Sequence, residues 1–289
     1  MVQFGSYGSG RSFGGVMPCM LMLVSCLATE SAVKAAVFAS EVISYAAGTT
    51  SFGNLQDPAS ALGPPDGIVG DQGGFDSVLS LFNPAFESQE VVSVGEGGHL
   101  TLRLENFVLV GLGPDVGVVA NAGLIDLDFP NGIAGNPASA FGVDSAGVQV
   151  SADGDAWIDL GVISFEMPAS FYQDSGPFDT TPGSLVSDFG APFDPVGGLS
   201  AFDGLNHGQF IALLGGSGGG QWLDLSSTGL VKVGFIRFSV ADDGNAQNDM
   251  NFEIDAVSVA NGKVGGVAPE PAVTGLVLVL AVFVARRRV

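Results

Sequence analysis

Residues 148–161 read VQVSADGDAWIDLG. Val148 and Val150 are spaced two apart, Asp153-Gly154 is a turn pair, and Trp157 and Ile158 lie on the return. Side chains of a strand alternate between two faces, and Asp-Gly between two such runs is among the strongest local hairpin signals. The stretch predicts two antiparallel strands joined at Asp153-Gly154.

The same pattern extends outward. In HLTLRLENF, residues 99–107, Leu100, Leu102 and Leu104 point one way while Thr101, Arg103 and Glu105 point the other, as in a half-buried strand. GLVKVGFIRFSV, residues 229–240, predicts a strand from Leu230 to Val240 that is apolar on both faces except near Lys232 and Arg237. NFEIDAVSVA, residues 251–260, predicts another with Phe252, Ile254 and Ala256 on one face. Turn pairs recur at Asp66-Gly67, Asn131-Gly132, Asp203-Gly204 and Asn261-Gly262, and no long amphipathic helix is visible. With 44 glycines, 15 prolines and 21 phenylalanines in 289 residues, many short strands joined by tight turns are expected. Residues 36–262 are read as one β-rich body, with Met167 to Pro195, rich in Pro, Gly, Ser and Asp, as a long surface insertion.

Charge narrows the function. The formal net charge is -21, and between Ala36 and Pro271 only Arg103, Lys232, Arg237 and Lys263 stand against 29 acids. Repulsion from phosphates excludes nucleic acid as a partner. Both cysteines, Cys19 and Cys26, precede the body, so it has neither a disulfide nor thiol chemistry of its own.

The two flanks read as addresses. Residues 1–35 carry Arg11, an apolar stretch from Val16 to Ala28, and small residues with Ala28 and Ala35 as cleavage positions, the layout of a secretory signal peptide. LVSC, Leu23 to Cys26, also has the form of a lipidation box on Cys26. At the other flank stand Pro269-Glu270-Pro271, fourteen uncharged residues from Ala272 to Ala285, and Arg286-Arg287-Arg288. As a helix that run would span about 21 Å, short for a bilayer unless the membrane thins or the arginines snorkel. Arginines beside an apolar span stay cytoplasmic, which would leave the body outside.

This second flank, residues 269–289, resembles the PEP-CTERM sorting signal of exported bacterial surface proteins. The resemblance implies a membrane helix at 272–285, a linker at 263–268, passage through the secretion machinery, and cutting near the PEP by an exosortase-type membrane protease. VQVSADGDAWIDLG resembles a hairpin of discoidin and other galactose-binding-like β-sandwiches, and FEIDAVSVA resembles their closing strand. FNPAFESQEVVSVGEGGHLTLRLE, residues 82–105, and GLGPDVGVVANAG, residues 111–123, are similar to segments of exported PEP-CTERM proteins. The fold implied is all-β, an antiparallel jelly-roll sandwich of the galactose-binding-like kind, with a signal segment before it and a membrane helix after it.

Chemistry is sparse. His99 opens a strand, His207 sits in a turn, and no G-x-S-x-G surrounds a serine, so both read as surface or turn residues. A glycosidase needs only two carboxylates, but Asp126 and Asp128, Asp153 and Asp155, and Asp242 and Asp243 all read as turn formers. Calcium is the ligand the acids suit best. Asp242, Asp243, Asn245, Asn248 and Asp249 crowd hard oxygens before a strand, although an Asn/Asp hairpin explains them equally well. GGSGGG, Gly215 to Gly220, lacks the Lys-Ser/Thr of a phosphate loop and reads as a flexible hairpin tip between the strands QFIALL and QWLDL. Trp157 and Trp222 read as core. The expected role is an exported, non-enzymatic surface or matrix protein that adheres to or binds envelope carbohydrate. A secreted carbohydrate-active enzyme using paired carboxylates, or a purely structural matrix protein, is the alternative.

Overall fold

A computed structural model describes residues 36–244 and 250–270, all within one compact unit, Lys34–Val289. Fourteen strands appear among the described residues: β1 (Val37–Ala46), β2 (Ile68–Val69), β3 (Ser77–Val78), β4 (Val92–Gly95), β5 (His99–Leu109), β6 (Val116–Ala120), β7 (Gly123–Leu124), β8 (Ala140–Phe141), β9 (Asp144–Ser151), β10 (Trp157–Phe165), β11 (Gln221–Leu223), β12 (Lys232–Ser239), β13 (Asn251–Val259) and β14 (Val264–Val267). The main sheet runs β10-β9-β12-β5-β1-β13-β6-β11, with β14 added to β5 and β4 added to β13, and its ladders are antiparallel.

Two layers arise from this one path because β1 changes sheets. Val37 and Phe38 pair with Val259 and Ser258 of β13, whereas Ala39 onward pairs with β5, with register shifts at Ala39/Glu41 and Val42/Ser44. Such bulges bend a strand and let it turn a sandwich corner. The free edges β10 and β11 face each other across a groove of about 390 Å³ lined by Ile158, Leu160, Ile163, Trp222 and Thr228. The result is a nearly closed, barrel-like sandwich.

Between the layers lie Leu100, Leu102 and Leu104 of β5, Val148 and Val150 of β9, Ile236 and Phe238 of β12, and Phe252 and Ile254 of β13, all fully buried. The predicted hairpin is present: β9 and β10 pair from Ser151/Trp157 outward, and Gly154 takes φ 86°, a left-handed turn conformation that favours glycine. The strand expected to be half-buried has its second face partly covered as well. Thr101 is buried, and its hydroxyl accepts Arg237 Nε at 3.0 Å.

Four expectations change. Met167 to Pro195 is not a surface insertion: Met167, Ala169, Phe189 and Phe193 are buried in two further cores outside the second sheet, with Phe82, Phe202, Phe210 and Trp222 in one and Leu55, Val69, Leu79 and Ala256 in the other. QFIALL belongs to the helix α1 (His207–Leu214), opened by a capping box in which Asn206 Oδ1 accepts Gln209 N at 3.1 Å and Gln209 Oε1 accepts Asn206 N at 3.0 Å, and closed by Gly215 at φ 59°. The glycine run after it is no flexible tip, since Ser217 to Gly220 are buried and Gly218 lies flat against the Phe189 ring. Residues 263–268 are no free linker: β14 pairs with β5, and Ala268 N donates to Glu105 O at 3.2 Å. Among the described residues no helix is long and apolar enough to cross a membrane; the expected signal segment, Cys26 and the run 272–285 lie outside them.

Candidate functional site

Of the expected calcium segment only the first two residues are described. Asp242 and Asp243 are exposed, Asp242 Oδ1 accepts Gly244 N at 2.9 Å as an ordinary turn, and Asn245, Asn248 and Asp249 lie outside the described residues. Of the sorting motif, Pro269 and Glu270 are described, whereas Pro271, Arg286, Arg287 and Arg288 are not. Arg103 anchors this junction from β5. Its Nη1 donates to Ala268 O at 3.2 Å, its Nη2 lies 3.4 Å from Glu270, and its Nε holds Glu41 at 2.6 Å. Ala268 is buried, and two residues later the Glu270 side chain is 77 % exposed.

The paired acids of the hydrolytic alternative behave as turn formers. Asp153 Oδ1 accepts Asp155 N and Ala156 N at 2.9 and 3.0 Å, and these donors with the Ser151 hydroxyl hold its carboxyl below the usual range. Burial is the largest single influence on Asp126 and pushes its pKa up, but Ile133 N, Asp128 N and Gly132 N donate to its carboxylate and together hold the pKa low. Each thereby has its charge committed to backbone N–H groups. His207 is drawn into the structure. Its Nε2 donates to Ser175 O at 2.8 Å, Nδ1 is buried without a partner, and burial lowers its pKa despite that bond and the charge of Asp179.

A polar groove of about 520 Å³ opens on the outer face of the first sheet, lined by His99, Gln149, Arg237, Ser239 and Asp242. The Arg237 guanidinium lies 4.0 Å above the Trp157 ring and 3.5 Å from Gln149 Oε1. Trp157 is therefore a half-exposed residue of this face rather than core, whereas Trp222 is buried as expected. Donors, acceptors and an aromatic ring thus lie together at one surface.

The most distinctive constellation was not foreseen. Asp71, Glu87 and Glu90 each place a carboxylate oxygen within 4.8 Å of the others, on the turn after β2 and on the turn before β4. Glu87 reaches Gln72 N and Gly73 N at 2.7 and 2.6 Å; Glu90 accepts Gly70 N at 2.6 Å and Phe86 N at 2.9 Å. Burial pushes Glu90 up, and backbone donors only partly offset it. From β13 comes Asp255, 2 % exposed, which burial and the charges of Asp66 and Glu90 push well above the carboxylate range. Asp66 is itself raised by burial and by Asp71. These residues span positions 66 to 255, so only the fold joins them. No protein-family model matches the chain, and no curated protein matches it.

Proposed function

We propose that the chain is an exported, non-enzymatic component of a bacterial envelope or extracellular matrix, sorted through Pro269-Glu270-Pro271 and carrying a carbohydrate-binding or adhesive β-sandwich. The observation that carries this reading is the order of parts at the junction: a body ending on buried Ala268, then an exposed Glu270, then an uncharged run and three arginines. A protease at the membrane needs an extended, accessible site just beyond the folded cargo, and two prolines keep such a site out of a helix.

The finer kinship with galactose-binding-like jelly rolls rests on the Val148–Gly161 hairpin and the Phe252–Ala260 strand. That kinship suggests envelope polysaccharide as the ligand class, with the groove of His99, Gln149 and Arg237 as its place. Export would proceed through the signal segment 1–35, and an exosortase-type protease would act on the PEP. Fractionation of the native host with an antibody to the body tests the reading. Recovery in the envelope or medium supports it; recovery in the cytosol with both flanks uncut overturns it.

A further inference from the structure

An acidic cluster arises readily from turn chemistry, and Glu87 and Glu90 have turn work to do, since they pin the backbone of residues 70–73. Asp255 has no such explanation. It stands on a central strand, 2 % exposed, and its Oδ2 is buried without a hydrogen-bond partner. Isolating a carboxylate oxygen in this way is strongly unfavourable unless something neutralises it. Its electrostatic neighbours are the acids Asp66 and Glu90, which aggravate the cost.

No basic side chain among the described residues relieves them. Arg103 serves Glu41 and Glu270, and Lys263 serves Asp115. Lys232 lies over Phe107, and Arg237 lies over Trp157. The four Lys and Arg of the described residues are thus engaged elsewhere, while the carboxylates of Asp71, Glu87 and Glu90 converge and Asp66 and Asp255 lie within electrostatic reach of them.

We propose that Asp71, Glu87 and Glu90 are direct ligands of a divalent cation of the calcium type, with the nearby charges of Asp66 and Asp255 adding to its attraction. The donors are all hard oxygens, with no histidine or thiolate among them, which selects against zinc and copper. Oxygens on opposite sides of one Ca2+ lie about 4.6–5.2 Å apart, so the 4.8 Å limit on Asp71, Glu87 and Glu90 suits a shared ion. The ion would tie the β2–β3 turn and the 87–90 turn to β13, fastening the outer layer to the sandwich. Extracellular modules bind calcium at about 10⁻⁴–10⁻³ M. The site stands on its own geometry and is independent of the sorting reading.

The test uses the full-length chain, stripped with chelator and titrated with CaCl2 by calorimetry and thermal melting. The expected result is one ion per chain and a melting temperature that rises with Ca2+. Asp71→Asn, an exposed change, weakens binding at least tenfold with the melt in chelator near that of the parent, and Glu87→Gln weakens it at least tenfold while also loosening the 70–73 turn. Asp242→Asn with Asp243→Asn leaves binding unchanged. Asp255→Asn raises the melt in chelator and weakens Ca2+ binding. An absence of heat and of any melt shift at millimolar Ca2+ overturns the proposal, as does full binding by Asp71→Asn and Glu87→Gln. So does Asp255→Asn if it stabilises the chain while leaving Ca2+ binding intact, since that carboxyl is then merely held protonated.

Discussion

Lys263 Nζ lies 2.7 Å from Oδ1 of Asp115, a carboxylate with no exposed surface. Asp115 Oδ1 also accepts Gly111 N at 3.2 Å, and Oδ2 accepts Leu225 N at 2.7 Å. One side chain thus joins the loop before β6, the segment after β11 and the turn between β13 and β14. Lys263→Ala strands that charge and is expected to cost about 3–5 kcal/mol, seen as a melting temperature roughly 10 °C lower. Adding Asp115→Asn to Lys263→Ala recovers part of the loss. Equal melts for Lys263→Ala and the parent would show that the pair holds nothing together.

The pH dependence has a predicted sign. Burial and then the charge of Glu253 push Asp144 up to about 7, against a backbone hydrogen bond at Glu253. A carboxyl raised in the folded state binds more protons there than in the unfolded chain. Stability therefore falls as pH rises from about 4 to about 7. Melts in chelator check this, and Asp144→Asn makes the fall shallower, leaving the part owed to the raised carboxyls of Asp66, Glu90 and Asp255. Stability that rises through this window would contradict the assignment.

Gly218→Ala tests the packing of the glycine run. An added methyl meets the Phe189 ring, and overpacking of this kind costs about 1–3 kcal/mol. Gly229→Ala is no control, because Gly229 takes φ 73°; Gly53→Ala, with open space around it and no left-handed backbone, is the proper comparison. Equal melts for Gly218→Ala and Gly53→Ala would return the run to the status of a loose tip.

The groove reading predicts that Gln149→Ala lowers retention on the host's own polysaccharide several-fold, with the melt unchanged. Gln149 is half-buried at the groove wall, so its loss removes a polar contact without opening the core. Undiminished retention in this variant moves the ligand elsewhere.

Strands were legible where alternation and a turn pair coincided, as at Val148–Gly161. β13 was legible as a strand but not in its facing. The register shift between Ile254 and Ala256 sends Ala256 into an outer core while Ile254 stays in the inner one, and a bulge leaves no compositional mark. QFIALL misled because a short apolar run suits strand and helix alike. Its signal was upstream, in Asn206 and Gln209 at capping-box spacing with Gly215 behind. The outer layer hid behind Pro, Gly and Ser, which read as loop even when phenylalanines between them build a core. The carboxylate cluster was illegible because Asp71 meets Glu87 and Glu90 only through the fold.

Intact mass and C-terminal sequencing of the chain recovered from the native host's envelope or medium test the central claim most directly. The account predicts a body without residues 1–35 that ends within a few residues of Pro269-Glu270-Pro271 and lacks Arg286, Arg287 and Arg288. A chain recovered there at full mass, with the apolar run and all three arginines in place, would contradict it.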